Sequence, residues 1–275
     1  MSQRLRIALT KGRLQDKSVE LFEKIGLDCT PIRHPGRRLI HSVPNYPLDA
    51  VLAKAPDVIT YVEHGVCDLG IVGKDTILEK GGAFYEVLDL GFGRCRFALA
   101  VKEGTDFYAT YKTRRVASKY PAVTRTFFER KGMDVDIIKI EGSVELAPIL
   151  GLADGIVDIV ETGATLKENG LTPIEDVAQV SARLIVNTAS MKLHKQEILD
   201  FIQQCQANLS GTLEKSGDGY VGIGGGRRRP RTGKIGVHAL PCRPDWGGDS
   251  AQCGGHHGRC AGPGLRGGGG VLREI

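Results

Sequence analysis

Residues 153–166, Ala-Asp-Gly-Ile-Val-Asp-Ile-Val-Glu-Thr-Gly-Ala-Thr-Leu, combine side chains suited to gripping an anion. Four apolar residues, Ile156, Val157, Ile159 and Val160, surround Asp158 in a run of buried-strand length. The run opens into Glu161, Thr162, Gly163, Ala164 and Thr165, residues small enough for backbone to approach a ligand closely. Leu166 to Gly170 then reads as a short helix closed by glycine. Loop N–H groups and the Thr162 and Thr165 hydroxyls therefore converge at a helix N-terminus, where a phosphate is favoured. Asp154 and Asp158 stand four residues apart, the first before the strand and the second within it. Their carboxylates could accept hydrogen bonds from sugar hydroxyls or hold a hydrated magnesium ion. Taken alone, the same residues also suit a threonine-capped helix with two solvated aspartates.

A second charged turn follows the first apolar run, Leu5 to Leu9. Lys11-Gly12-Arg13-Leu14 sits where a strand passes into a helix, and its two cations could reach a polyphosphate, Arg13 as a fork and Lys11 as a point charge. Asp68 precedes the apolar run Leu69-Gly70-Ile71-Val72 and either faces a ligand or turns to solvent at the strand's start. Ser143 can begin a helix whose positive end Glu145 favours. His34, His41, His64 and His194 show no spacing of a metal site or a triad, which leaves them surface or packing roles.

Glu145, Gly151, Ala153, Ile156, Asp158, Ile159, Thr162, Gly163, Thr165 and Leu166 resemble, position by position, the signature of the ATP phosphoribosyltransferase family. Lys11-Gly12-Arg13-Leu14, Asp68 to Gly73, Cys95-Arg96 and Gly142-Ser143-Val144-Glu145 are also similar to family segments, in the expected order, so that the likeness covers about residues 3–213. It implies an α/β fold of two lobes, periplasmic-binding-protein-like, with mixed, mostly parallel sheets and the active site in the inter-lobe cleft. It implies a pentosyltransferase that joins ATP to phosphoribosyl pyrophosphate with release of pyrophosphate, opening histidine biosynthesis. On that resemblance Thr162, Gly163, Ala164 and Thr165, with Glu161 before them, take the 5′-phosphate. Asp154 and Asp158 take the ribose or its Mg2+, Glu145 contacts substrate, and Lys11 and Arg13 act on polyphosphate charge. No general base stands out. The resemblance is to the short form of the family, which works with a separate regulatory subunit resembling histidyl-tRNA synthetase in a homo- or hetero-oligomer. Rival readings are a non-catalytic small-molecule receptor on the same architecture, or another phosphoribosyltransferase.

The elements that must position these groups alternate along the chain. Apolar runs at Leu5 to Leu9, Cys67 to Val72, Phe97 to Val101, Val135 to Ile140, Ile156 to Val160 and Arg183 to Asn187 read as strands. Helical spacing occupies Asp16 to Ile25, Pro121 to Lys131 and Leu193 to Leu213, and Asp57 is placed to cap a short helix that Gly65 stops. The stretch Lys102 to Lys112, without a stripe, is the expected crossing between lobes. The expected order is lobe I over 1–101, lobe II over 102–180, and a return to lobe I with a C-terminal helix over 181–215.

Residues 1–215 hold 28 Lys and Arg against 28 Asp and Glu, so the net charge of +5 arises in the remainder. A nucleic-acid footprint would need that excess on the folded body, and the composition offers none. Residues 216–275 contain 19 of the 37 glycines and are expected to be a disordered or frame-shifted tail, dispensable for folding and catalysis. Within it, Gly222 to Gly226 lacks the strand-to-helix context of dinucleotide binding. Cys242, Cys253 and Cys260, with His256 and His257, match no zinc spacing. Seven irregularly spaced cysteines suit reduced thiols, and the absence of an apolar leader or membrane-length span points to the cytoplasm, with no membrane partner.

Overall fold

Eleven strands and nine helices carry the described residues of the computed structural model, 4–109 and 112–209. These form one compact unit, and the whole glycine-rich segment 216–275 with its cysteines lies outside the described residues.

The first lobe runs β1 (Leu5–Thr10), α1 (Arg13–Lys24), α2 (Thr30–Arg33), β2 (Ile40–Ser42), β3 (Leu48–Ala53), α3 (Ala55–Glu63), β4 (Leu69–Gly73), α4 (Lys74–Lys80) and β5 (Phe84–Asp89). The second follows with β6 (Cys95–Lys102), β7 (Arg114–Ser118), α5 (Pro121–Arg130), β8 (Val135–Lys139), α6 (Leu146–Ile149), β9 (Gly155–Val160), α7 (Ala164–Glu168) and β10 (Leu171–Val180). The chain then returns to the first lobe as β11 (Ala182–Asn187), α8 (Ser190–Leu193) and α9 (Lys195–Leu209). The sheet orders are β2-β3-β1-β4-β11-β5 and β10-β6-β9-β7-β8.

Two expectations from the sequence are corrected here. Strand β6 lies in the second sheet, so the chain crosses at residues 90–94, not at 102–112. Gly91 and Gly93 provide the crossing with φ of 70° and 62°, which only glycine adopts freely. Residues 102–109 of that stretch are instead held to the second lobe by Phe107, which is fully buried, and by Arg114, whose guanidinium donates to the Asp106 and Phe107 carbonyls. The sheets are also less parallel than expected, with four parallel pairings and five antiparallel. Four of the five come from the crossings, each of which delivers a strand, β6 or β11, that runs against both of its neighbours, and the fifth is β2 against β3. A smaller shift concerns Asp57: α3 begins at Ala55 with Lys54 at its N-cap, which leaves Asp57 in the first turn beside the positive end.

Side-chain alternation builds the cores. In β1, Leu5, Ile7 and Leu9 face a cluster formed with α1 and α9, whereas Ala8 faces α3. In β6, Phe97, Leu99 and Val101 fill one side of the second sheet, while Ala98 and Ala100 leave the other side shallow. Helix α3 packs on β4 so closely that a methyl group at Gly70 would stand 2.8 Å from Val62 Cγ2 and 2.9 Å from Val58 Cγ1. Gly70→Ala is therefore expected to destabilise the fold by about 1–3 kcal/mol through overpacking. A urea midpoint equal to wild type would show that α3 gives way freely.

Candidate active site

Positive φ at Gly12 (90°) turns the chain after β1, and the Lys11 N–H extends the β1–β3 ladder by donating to the Ala53 carbonyl at 2.9 Å. Arg13 thus opens α1 at the C-terminal end of the first sheet's parallel strands, with both basic side chains exposed. Across the cleft, β9 ends at Val160 and delivers Glu161. Arg13 Nη1 meets Glu161 Oε2 at 2.7 Å and Oε1 at 3.0 Å, joining the charged turn of one lobe to the head of the threonine loop of the other. This bond to Glu161 raises the guanidinium's pKa further.

Beyond Glu161, Gly163 takes the left-handed conformation (φ 80°) and serves as N-cap of α7, with Ala164, Thr165 and Leu166 in the first turn. Thr162 Oγ1 accepts from the Ala164 N–H at 3.4 Å, and Thr162 and Thr165 are exposed to the cleft-side solvent while Leu166 anchors the turn in the core. The strand–loop–helix reading of this segment therefore matches the fold.

Asp158 lies in the centre of the second sheet, on β9 between β6 and β7 and directly beside Ala98. It shares the face of Ile156 and Val160, where the alanines leave room above the strand. Burial lifts its carboxyl above the usual carboxylate range; the Glu145 charge adds to the lift, against the Ile159 N–H and the Lys119 charge. Glu145, at the start of α6, is close enough for its charge to act on Asp158.

Asp154 is not part of this group. Its Oδ2 accepts from the Arg115 N–H at 2.8 Å and its own N–H donates to the Arg115 carbonyl at 2.7 Å, fastening the start of β9 to β7. The residue sits at the opposite end of β9 from the loop: four steps of strand put it about 13 Å from Asp158, and six put it roughly 20 Å from the strand's end at Val160. One ribose ring cannot span either gap, so the assignment of Asp154 to the sugar is withdrawn in favour of a structural one. Asp68 is likewise a tie within the frame, its oxygens accepting from the Arg6 N–H and the Ser190 hydroxyl, each at 2.7 Å. Asp68→Ala leaves a half-buried N–H without its partner and is expected to cost about 1–3 kcal/mol in chemical denaturation, with KM values unchanged.

Three cleft residues escaped the sequence reading. Asp75, in the first turn of α4, is lifted by burial against hydrogen bonds from Thr76, its own N–H and the Tyr120 hydroxyl. Tyr120, just before α5, is raised in turn by burial and by the charges of Asp75 and Asp158. The Cys95 thiol is raised by burial and by Asp75 and Glu161, with Arg13 opposing. Gly73-Lys74-Asp75 directly after an apolar strand was the available signal, since an acidic residue there falls at a helix start. Arg96 points elsewhere, to Asp176 at 2.6 Å.

A family model for HisG, ATP phosphoribosyltransferase, matches residues 54–207. The chain belongs to the ATP phosphoribosyltransferase family. Among curated ATP phosphoribosyltransferases, that of Clostridium kluyveri is 56% identical over 214 residues, covering 78% of this chain and 97% of the relative. That of Clostridium acetobutylicum is 60% identical over 200 residues, covering 73% and 93%. Among solved structures, the ATP phosphoribosyl transferase (HisG:HisZ) complex from Thermotoga maritima superposes with a TM-score of 0.65 at 32% identity, covering 75% of this chain and 99% of that one. The periplasmic aliphatic sulphonate binding protein SsuA of Escherichia coli shares the two-lobed fold alone, with a TM-score of 0.52 at 16% identity over 78% of this chain and 75% of SsuA.

Proposed function

We propose that the cleft joins ATP to phosphoribosyl pyrophosphate, the first step of histidine biosynthesis. The bond formed links adenine N1 to the anomeric carbon of the ribose; the bond broken is that carbon's bond to the pyrophosphate oxygen, and the electron pair leaves with pyrophosphate. Adenine N1 carries its own lone pair, so positioning and charge neutralisation suffice and no side chain has to remove a proton first. The observation that carries this reading is the Arg13–Glu161 contact, which brings the polyphosphate cations of one lobe to the 5′-phosphate loop of the other.

In this reading Thr162, Gly163, Ala164 and Thr165 hold the 5′-phosphate, Asp158 accepts from the ribose hydroxyls, and Glu145 contacts the sugar or its metal. Glu161 keeps Arg13 at the mouth of the loop, and Lys11 and Arg13 neutralise the departing pyrophosphate. Magnesium fits the residues present. No cluster of three or more metal-ligating side chains occurs among the described residues, but the Glu145 charge acts on Asp158, so that these two carboxylates could share a cation. Mg2+ is commonly held by one or two carboxylates plus substrate phosphates, and when bound it supplies charge neutralisation on pyrophosphate.

The Thermotoga maritima structure is a complex of HisG with HisZ. That likeness supports a hetero-oligomer with a regulatory subunit; that this subunit resembles histidyl-tRNA synthetase and that the chain acts in the cytoplasm are part of the proposal, resting on the family resemblance. No helix of the described residues is long and apolar enough to cross a membrane.

The test is to mix the full chain, with and without a candidate regulatory subunit, with ATP, phosphoribosyl pyrophosphate and Mg2+, and to assay phosphoribosyl-ATP. Binding without product under both conditions would identify a receptor. Turnover with another base in place of ATP would identify a different phosphoribosyltransferase.

A further inference from the structure

The N-terminus of α5 in the second lobe is capped from the first lobe. Pro121 has no N–H to satisfy, and the Tyr120 side chain makes no cap bond, which leaves Ala122 and Val123 as the first donors. Both donate to Glu79, near the end of α4: Ala122 to Oε2 at 2.9 Å and Oε1 at 3.2 Å, Val123 to Oε2 at 3.1 Å. A carboxylate placed there satisfies two orphan donors and faces the positive end of the helix dipole.

The contact continues to the site. Tyr120 N–H donates to Ser118 Oγ at 2.9 Å, and the buried Ser118 hydroxyl donates to the Val157 carbonyl at 2.6 Å, one residue from Asp158. Next to it, the Tyr120 hydroxyl, raised by burial, lies near enough to Asp75 of α4 for the Asp75 charge to raise it further. At its other end α4 is anchored to the return crossing, where the Lys74 N–H donates to the Ser181 carbonyl at 2.9 Å. Hydrogen bonds at the hinge, between α4 and the start of α5, and from Tyr120 through Ser118 to Val157 thus join the first lobe to the strand that bears Asp158.

We propose that Glu79 is a positioning residue that fixes the angle between the lobes, and with it the alignment of the phosphoribosyl group held by the second lobe against the Lys11 and Arg13 cations of the first. The inference rests on the proposed function, in which the second lobe holds the 5′-phosphate and ribose and the first lobe's cations meet the departing pyrophosphate. Because the 5′-phosphate and ribose keep their contacts to the second lobe when the lobes are misaligned, while Lys11 and Arg13 act on the charge that develops as pyrophosphate departs, loss of Glu79 acts on the turnover of the ternary complex and spares binding.

Steady-state kinetics of the full chain with its regulatory subunit test this. Glu79→Ala is expected to lower kcat about tenfold, with KM for ATP and for phosphoribosyl pyrophosphate each within about threefold of wild type. Glu79→Gln, whose amide oxygen can still accept both N–H groups, is expected to recover most of kcat. Hydrogen exchange at Ala122 and Val123 should accelerate in Glu79→Ala and not in Glu79→Gln. If Glu79→Ala does not fold, Glu79→Asp, one methylene shorter, takes its place with the same expected split. A kcat within twofold of wild type, a rise confined to KM for phosphoribosyl pyrophosphate, or a Glu79→Gln as impaired as Glu79→Ala overturns the proposal. Failure of the substrate assignment is read separately, as unchanged phosphoribosyl pyrophosphate affinity in Asp158→Asn, and leaves the Glu79 result to be judged on its own kinetics.

Discussion

Asp158→Asn is expected to lower kcat/KM for phosphoribosyl pyrophosphate by about 10²-fold while raising the stability of the protein. Both effects have one origin. The carboxylate sits in the middle of a sheet, raised by burial and by Glu145, and the surroundings that make it a strong acceptor for ribose hydroxyls also penalise its charge. The sign follows from linkage. The folded carboxyl holds its proton more tightly than the unfolded one, so the native state binds more protons and stability falls as pH rises through the raised folded value. The cost is absent below the unfolded pKa and fully present above the folded one. An asparagine removes it, and the gain in unfolding midpoint should shrink as the pH is lowered. The activity profile has the opposite sense: kcat/KM drops as pH falls through the raised pKa, and that acid limb should vanish in Asp158→Asn. Thr165→Ala, which removes one donor to the 5′-phosphate, is expected to raise KM for the same substrate about tenfold and to leave the acid limb in place. A variant at Asp158 with wild-type affinity and a wild-type acid limb would remove the residue from the site.

Much of this site was legible because it is local. A strand that ends in Glu161-Thr162-Gly163-Ala164-Thr165 and is followed by a helix puts its own N–H groups and hydroxyls together, whatever the remainder of the chain does. Asp154 was misread for the complementary reason: spacing of four in a strand keeps two carboxylates on one face, yet places them about 13 Å apart. Asp75, Tyr120 and Glu79 were invisible because their significance lies in contacts between α4 and the start of α5, some 45 residues apart and on different lobes. Among the strands, those that lie inside a sheet as apolar runs, such as β1, β4, β6, β9 and β11, could be read directly. The edge strand β10 could not, since Thr172, Glu175, Asp176 and Gln179 break the run and Pro173 sits within it. The crossing at 90–94 had a usable signal in Gly91-Phe92-Gly93, but the polar stretch after β6 looked more like a linker. Only the burial of Phe107 shows that it belongs to the second lobe.

Arg13→Ala separates a structural ion pair from a catalytic cation. Arg13 and Glu161 are both more than half exposed, so their pairing is worth at most about 1 kcal/mol to the fold, and the variant should unfold at the wild-type midpoint. In the ternary complex the same guanidinium would face the charge that develops as pyrophosphate departs, where the loss of a single preorganised donor costs about 10²–10³-fold in kcat. Glu161→Gln keeps the cation in place and is expected to leave kcat/KM within about fivefold. The two partners of one salt bridge should therefore differ by an order of magnitude or more in activity while matching in stability. Arg13→Lys refines the point: a lysine restores the charge but not the two-pronged fork that a phosphate engages, so only part of the lost rate should return. Equal losses at Arg13 and Glu161, with a lowered unfolding midpoint in both, would mean that the contact holds the lobes together and that the polyphosphate cation has to be sought elsewhere, with Lys11 the first place to look.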